Sequence, residues 1–221
     1  DFHTEEDLNN TLIDYSNNKF VNFLMSKFDE KLVMETINKY KIGTATFKNN
    51  GTIFWQIDNS KKVRSGKIMW YDNLGKRNKI ITWYHSYLIK KKALEKFVLG
   101  QCLFGEHLLG DDKPIAIVES EKTACIMDII YKKYTWMATG SLGGLTEKKL
   151  NILKRKKIIL YPDLGVNGKN GSPYFIWKSK CDELEFNGFD ISISNLLEEN
   201  CTENEREKGL DIADYFLMNK E

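Results

Sequence analysis

The chain has 221 residues, of which 42% are hydrophobic and 12% aromatic; this excludes a disordered polyelectrolyte and is enough for one large core or two small ones. Its formal charge is only +2, so whole-molecule electrostatics select no partner. Cys102, Cys125, Cys181 and Cys201 stand far apart without a C-x-x-C pair, and His3, His85 and His107 are equally scattered, so neither a disulfide framework nor a zinc site is expected.

Residues 5 to 41 read as helical. "NKFVNFLMSKF" carries Phe20, Phe23, Leu24 and Phe28 at helical spacing, and "DEKLVMETINKY" opens on Asp29 as a cap. From 43 to 87 the pattern changes to short aromatic and β-branched runs, "TIFWQID", "SGKIMWYD" and "KIITWYHSYL", separated by polar turns. That predicts a small antiparallel β-rich unit. Residues 43 to 93 hold eleven Lys or Arg against two acids, whereas residues 182 to 221 hold three against twelve, so the chain is polarised in charge. Aromatic residues interleaved with these basic loops are the pattern of a nucleic-acid surface, although the same residues also serve as core and solvated face.

After "GDDKP" the rhythm becomes strand, loop, helix, repeated, and the chain is expected to divide into residues 1–110 and 111–221. "PIAIVE" leads into "EKTACIMDIIYKKY", "TWMATG" through "SLGG" into "LTEKKLNILKR", "KKIILYPD" into "YFIWKSKCDELEFNG", and "FDISISNL" precedes "GLDIADYFLMNK". Short continuous apolar strands alternating with helices predict a parallel α/β sheet, and in such sheets ligands bind beyond the carboxyl ends of the strands. The first strand ends on Glu119 and the third on Asp163. If those strands are neighbours, the two carboxylates meet, and their mutual repulsion is ordinarily relieved by a hard cation such as Mg²⁺. Asp211 and Asp214 add acids where the last helix opens; their spacing equally fits a helix cap. Each acid alone is as compatible with a solvated loop or a cap as with a ligand. "GSLGGL", residues 140–145, is either a phosphate nest or a tight turn. A receiver-like phosphoacceptor at Asp163 would need adjacent acids after the first strand, and "VESE" separates them.

Taken in order, "IVESEKTA", "ATGSLGGLT", "IILYPD" and "GLDIADYF" resemble the Toprim domain of primases, topoisomerases and related nucleases. Upstream, "TIFWQIDNSKKVRSGKIMWYD" and "CLFGEHLL" look like the β-rich subdomain that precedes Toprim in bacterial replicative primases. In detail the chain looks most like the primase-like Toprim proteins of bacterial mobile elements, over roughly residues 20 to 218. The fold this implies is a Toprim-like α/β domain preceded by a helical and antiparallel β-rich subdomain. The family pattern at the third strand is Asp-x-Asp, whereas this chain reads Asp163, Leu164, Gly165; the site would then recruit Asp211, Asp214 or Glu121, or bind a nucleotide-chelated cation with fewer protein ligands.

The resemblance implies metal-assisted nucleotidyl transfer on a single-stranded DNA template, with Mg²⁺ or Mn²⁺ as cofactor, nucleoside triphosphates as substrates and a replicative helicase as a further candidate partner. Glu119 and Asp163 would position the metal, Asp211 or Asp214 would complete the site, Lys122 would contact phosphate, and Arg64, Lys67 and Lys62 would hold the template or a triphosphate across a cleft between the two subdomains. Glu119 as a general base is an alternative role. Metal-dependent nucleic-acid cleavage and a non-catalytic DNA-binding module are the competing functions. No apolar run approaches the ~20 residues that span a bilayer, and a reducing cytoplasm is the expected compartment. The chain begins at Asp1 and supplies no ligands for the N-terminal zinc module common among such relatives, as expected of a fragment or of a variant without that module.

Overall fold

The computed structural model describes residues 1–110, 113–169 and 171–218. Part of the "GDDKP" boundary and the "NK" that closes the last predicted helix lie outside the described residues. The chain divides into two units, Asp1–Leu109 and Gly110–Glu221.

In the first unit the helical reading of residues 5–41 resolves into three helices, each begun by a side-chain cap. Thr4 and Asp7 form a capping box on α1 (Glu5–Asn9), Asn18 accepts from the Phe20 and Val21 N–H groups to start α2 (Lys19–Met25), and Asp29 does the same for α3 (Glu30–Tyr40). The break falls in the Asn- and Asp-containing stretch after α1, where side chains compete with helix for backbone donors and Asp14 takes a left-handed conformation.

Strands β1 (Gly43–Ala45), β2 (Gly51–Ile57), β3 (Val63–Tyr71) and β4 (Arg77–Trp83) form an antiparallel sheet in that order. The run "KIITWYHSYL" is strand only as far as Trp83; the chain then turns into α4 (Tyr84–Lys90). Helical spacing there puts Tyr84, Tyr87 and Leu88 against the Trp55, Ile53 and Ile68 cluster, a burial that a continued strand would have split between two faces. Tyr87 stacks on Phe47 at 3.8 Å, and the Tyr84 hydroxyl donates to Asp7 at 3.1 Å.

In the second unit β5 (Ile115–Val118), α5 (Glu121–Ile130), β6 (Thr135–Ala138), α6 (Glu147–Leu150), β7 (Ile158–Leu160), α7 (Pro173–Phe186) and β8 (Ile191–Ile193) alternate as expected. The sheet is parallel throughout, in the order β6-β5-β7-β8. Every residue of β5 and β6 is buried, which explains why these strands read as unbroken apolar runs rather than alternating ones. Two short helices, α8 (Leu196–Asn200) and α9 (Glu203–Lys208), occupy the acidic stretch before α10 (Ile212–Met218). Among the described residues no helix is long and apolar enough to cross a membrane.

Candidate active site

The chain runs from β5 outward to β6 on one side, while β7 lies on the other side of β5; the carboxyl ends of β5 and β7 are therefore a topological switch point, where open α/β sheets leave a crevice. Ile117 sits opposite Leu160, and the Tyr161 N–H extends the ladder to the Ile117 carbonyl at 2.8 Å. Just beyond, the Asp163 N–H donates to the Glu119 carboxylate. Each acid keeps one oxygen, Glu119 Oε1 and Asp163 Oδ1, that is sealed from solvent without a hydrogen-bond partner. Such orphaned acceptors are costly, and a cation is the natural complement.

Asp211 and Asp214 face the same place from the start of α10. They form a reciprocal cap: the Asp214 N–H donates to Asp211 Oδ1 at 2.8 Å and the Asp211 N–H to Asp214 Oδ2 at 3.4 Å. Thr123, in the first turn of α5, donates to Asp211 Oδ2 at 2.5 Å. Both oxygens of Asp211 are thus engaged. Lys122 Nζ lies 3.9 Å from Asp214 Oδ1. Glu121 is buried in the first turn of α5.

Burial raises the Glu119 carboxyl to about 7, assisted by the Asp211 charge and opposed by the Asp163 N–H. Burial also lifts Asp163 well above the ordinary aspartate range, with the charges of Glu119, Asp211 and Asp214 adding to it and Lys122 opposing. Asp214 is raised by burial and by Asp211. The acid cluster therefore holds a proton near neutrality unless a cation displaces it.

Among the described residues no three His, Cys, Asp or Glu side chains converge tightly enough to enclose a metal ion by themselves. The donor set still suits Mg²⁺, which commonly binds one or two carboxylates and completes its shell with water and substrate phosphate. At Gly165, where the Toprim resemblance implies a second aspartate, a Cβ would stand 2.8 and 2.9 Å from Cδ and Cγ of Pro173, the first residue of α7. Packing fills the space that a second aspartate would need.

"GSLGGL" forms a tight turn over Leu142–Gly144, and a Cβ on Gly144 would meet the Thr139 carbonyl oxygen at 2.5 Å. Lys149 Nζ donates to that carbonyl at 3.1 Å, and Trp177 Nε1 to the Leu142 carbonyl at 2.9 Å, so the turn is held from two helices.

The predicted basic residues lie in the first unit. Arg64 Nε donates to Asp58 Oδ2 at 2.6 Å, and its guanidinium lies 4.5 Å from the Phe2 ring centroid. Lys62 Nζ lies 4.6 Å from the same centroid. Lys67 is buried on β3, 5% exposed. The structure thus gathers Glu119, Asp163, Asp211, Asp214 and Lys122 within one unit, and Arg64 and Lys62 around one ring in the other. Thr123 and Lys149 were not anticipated; the spacing of Thr123 from Glu119, on the first turn after the strand, was the available signal.

The family model described as "Domain of unknown function (DUF6371)" matches residues 18–164. The chain belongs to the DUF6371 family. The DUF6371 match takes in the antiparallel sheet and reaches Glu119, Lys122 and Asp163, but stops before Asp211 and Asp214. No curated protein matches the chain. Among solved structures, the DnaG catalytic core is 14% identical with a TM-score of 0.50, covering 86% of this chain and 72% of its own. The DnaG primase catalytic domain bound to ssDNA is also 14% identical at 0.50, covering 90% and 76%. The primase fragment of the bacteriophage T7 primase-helicase protein is 16% identical at 0.46, covering 79% and 69%. The likeness is one of fold: this DUF6371 protein has an antiparallel sheet and a four-stranded parallel sheet, as the DnaG primase core does.

Proposed function

We propose that the protein is a primase-like nucleotidyltransferase with a Toprim-type centre, acting on a single-stranded DNA template with a divalent cation, in replication of a plasmid, phage or other mobile element. The observation that carries this reading is the Glu119–Asp163 pair at the β5–β7 switch point, with one sealed, partnerless oxygen on each acid. The fold shared with DnaG supports it, as does the solution of one such DnaG domain with ssDNA.

Glu119 and Asp163 would hold Mg²⁺ or Mn²⁺, which supplies charge stabilisation to a transferring phosphoryl group. The residues' own part is positional. The segments that follow β5 and β7 bring the two carboxylates together through the Asp163 N–H, Thr123 holds Asp211, and Asp211 in turn fixes the first turn of α10 so that Asp214 opposes Lys122. Lys122, beside this cluster, offers an ammonium to substrate phosphate. Glu119, with its carboxyl near 7, can take up a proton at neutral pH once no cation occupies the pair.

Calorimetric titration of Mn²⁺ and Mg²⁺, with and without nucleoside triphosphate, tests the centre; labelled-nucleotide incorporation on single-stranded template tests the reaction. Binding should be lost in Glu119→Gln and in Asp163→Asn, with folding retained. Metal-dependent strand cleavage without incorporation would instead make the protein a nuclease. The packing of Gly165 on Pro173 favours one second reading, a DNA-binding module with a reduced metal site. Nucleic-acid binding indifferent to metal, with no turnover, would establish it.

A further inference from the structure

The first unit contains a cavity of about 530 Å³ where the β3–β4 turn meets the β1–β2 connection and the start of α2. Lys19, Lys76 and Arg77 line it, and the one acid there, Asp72, has an oxygen committed to the Leu74 and Lys76 N–H groups at 2.9 Å. Lys19 and Lys76 form no ion pair with the described residues, in contrast to Arg64 on Asp58. Trp70 forms part of the wall and is fixed: its Nε1 donates to the Lys48 carbonyl at 3.0 Å, and its ring lies so close to Gly51 that a Cβ there would meet Cε2 at 2.9 Å. Four carboxamides, Thr52 and Tyr71 complete the lining. Asn49 and Asn50 sit in successive left-handed conformations, both at φ 51°. Asn78 accepts from the Ile80 N–H through Oδ1, leaving its NH₂ to donate, and Asn17 donates to Asp14, leaving its oxygen to accept.

Cations, a rigid indole and amide groups of both polarities match the three parts of an unpaired nucleotide: phosphate, base face and base edge. The volume lies within the range of small-ligand sites. Backbone held left-handed at two adjacent positions is a conformation Asn tolerates, and it concentrates at a rim where side chains must be aimed.

We infer that this cavity is a docking site for single-stranded nucleic acid, one that stacks an unpaired base on Trp70 and holds its phosphates with Lys19, Lys76 and Arg77. It shares the single-stranded partner of the primase-like reading but not its site, and it operates without metal.

The test is fluorescence anisotropy of a labelled oligo-dT of about twelve nucleotides with the full chain in EDTA. The Lys19→Ala/Lys76→Ala/Arg77→Ala variant should bind roughly tenfold or more weakly, with a salt slope lower by about 2. Trp70→Leu should weaken binding severalfold with the slope unchanged, because it removes stacking and no charge. The exposed triple Lys90→Ala/Lys91→Ala/Lys92→Ala removes equal charge elsewhere and should stay within threefold of the parent. The assay runs in EDTA, so failure of the metal centre leaves this result standing. Duplex of the same length should bind at least tenfold more weakly. Unchanged affinity in the cavity triple, equal loss in the two triples, or displacement of the strand by equimolar free ATP would each overturn the inference; circular dichroism verifies that the variants fold.

Discussion

Thr123 and Asp211 lie 88 positions apart in sequence and are joined by a buried 2.5 Å hydrogen bond. The bond fastens α10 to α5, and it brings the late acids to the ends of β5 and β7. Thr123→Val keeps the shape of the side chain and removes the donor, leaving Asp211 Oδ2 as an unsatisfied acceptor among like charges. The expected cost is about 1–3 kcal/mol in urea unfolding, and Thr123→Ser should recover most of it. Equal stability in all three proteins would show that the hydroxyl does not hold the helix.

The raised carboxyls give the metal-free second unit a definite pH slope. A group whose folded pKa lies above its unfolded value keeps protons in the native state that the unfolded chain has released. Its stabilising contribution is full below about pH 4 and declines as pH rises through about 7, where Glu119 titrates. Glu119→Gln should therefore raise metal-free stability at pH 7.5 by on the order of 1–2 kcal/mol, Asp163→Asn should raise it as well, and both should abolish Mn²⁺ binding. Differential scanning fluorimetry with EDTA and with Mn²⁺ reads both effects. Variants less stable than the parent in EDTA would contradict the strained acid pair.

The first unit should respond to pH in the opposite sense. Burial lowers His3 and His107 to about 4, and the His107 ring lies 3.0 Å from the Lys39 carbonyl with Lys61, Lys41 and Lys39 nearby. Folded values below the unfolded ~6.5 mean that the stabilising contribution is present above pH 6.5 and is lost as pH falls through 4. Hydrogen exchange at pH 7 and pH 5 should show β2 and β3 losing protection on acidification while β5 and β7 of the metal-free protein do not. Parallel changes in both sheets would sink the assignment.

The parallel sheet was legible because β5 and β6 are unbroken apolar runs; Glu119 follows β5 directly, whereas Asp163 stands three residues beyond the end of β7. Other features depended on context. Helix α4 was hidden because Trp83, Tyr84 and Tyr87 suit a strand equally well, and only the Trp55 cluster decides which face they bury. Helix α9 carried a readable signal, the Thr202–Glu205 capping box, inside a stretch otherwise noted for its charge. The engagement of Arg64 by Asp58 spans a turn whose geometry sets the pair, and a count of basic residues does not reveal it. For the same reason the cavity around Trp70 was invisible: Lys19 comes from a helix and Arg77 from a strand far along the chain.

Gly165 makes the last case, since the Toprim resemblance implies that an aspartate here would add a ligand. The Cβ required by any such residue would stand 2.8 Å from Cδ of Pro173, which is held at the start of α7 by the Ser172 cap. Overpacking against a fixed ring costs about 1–3 kcal/mol. Gly165→Ala and Gly165→Asp should therefore both lose stability, and Gly165→Asp should bind Mn²⁺ no more tightly than the parent by calorimetry. Gly165→Asp combined with Pro173→Ala, which trims the ring, should recover stability and is the one background in which added affinity can emerge. Tighter Mn²⁺ binding in the single Gly165→Asp variant, without loss of stability, would mean that α7 yields readily and that Pro173 does not close the position.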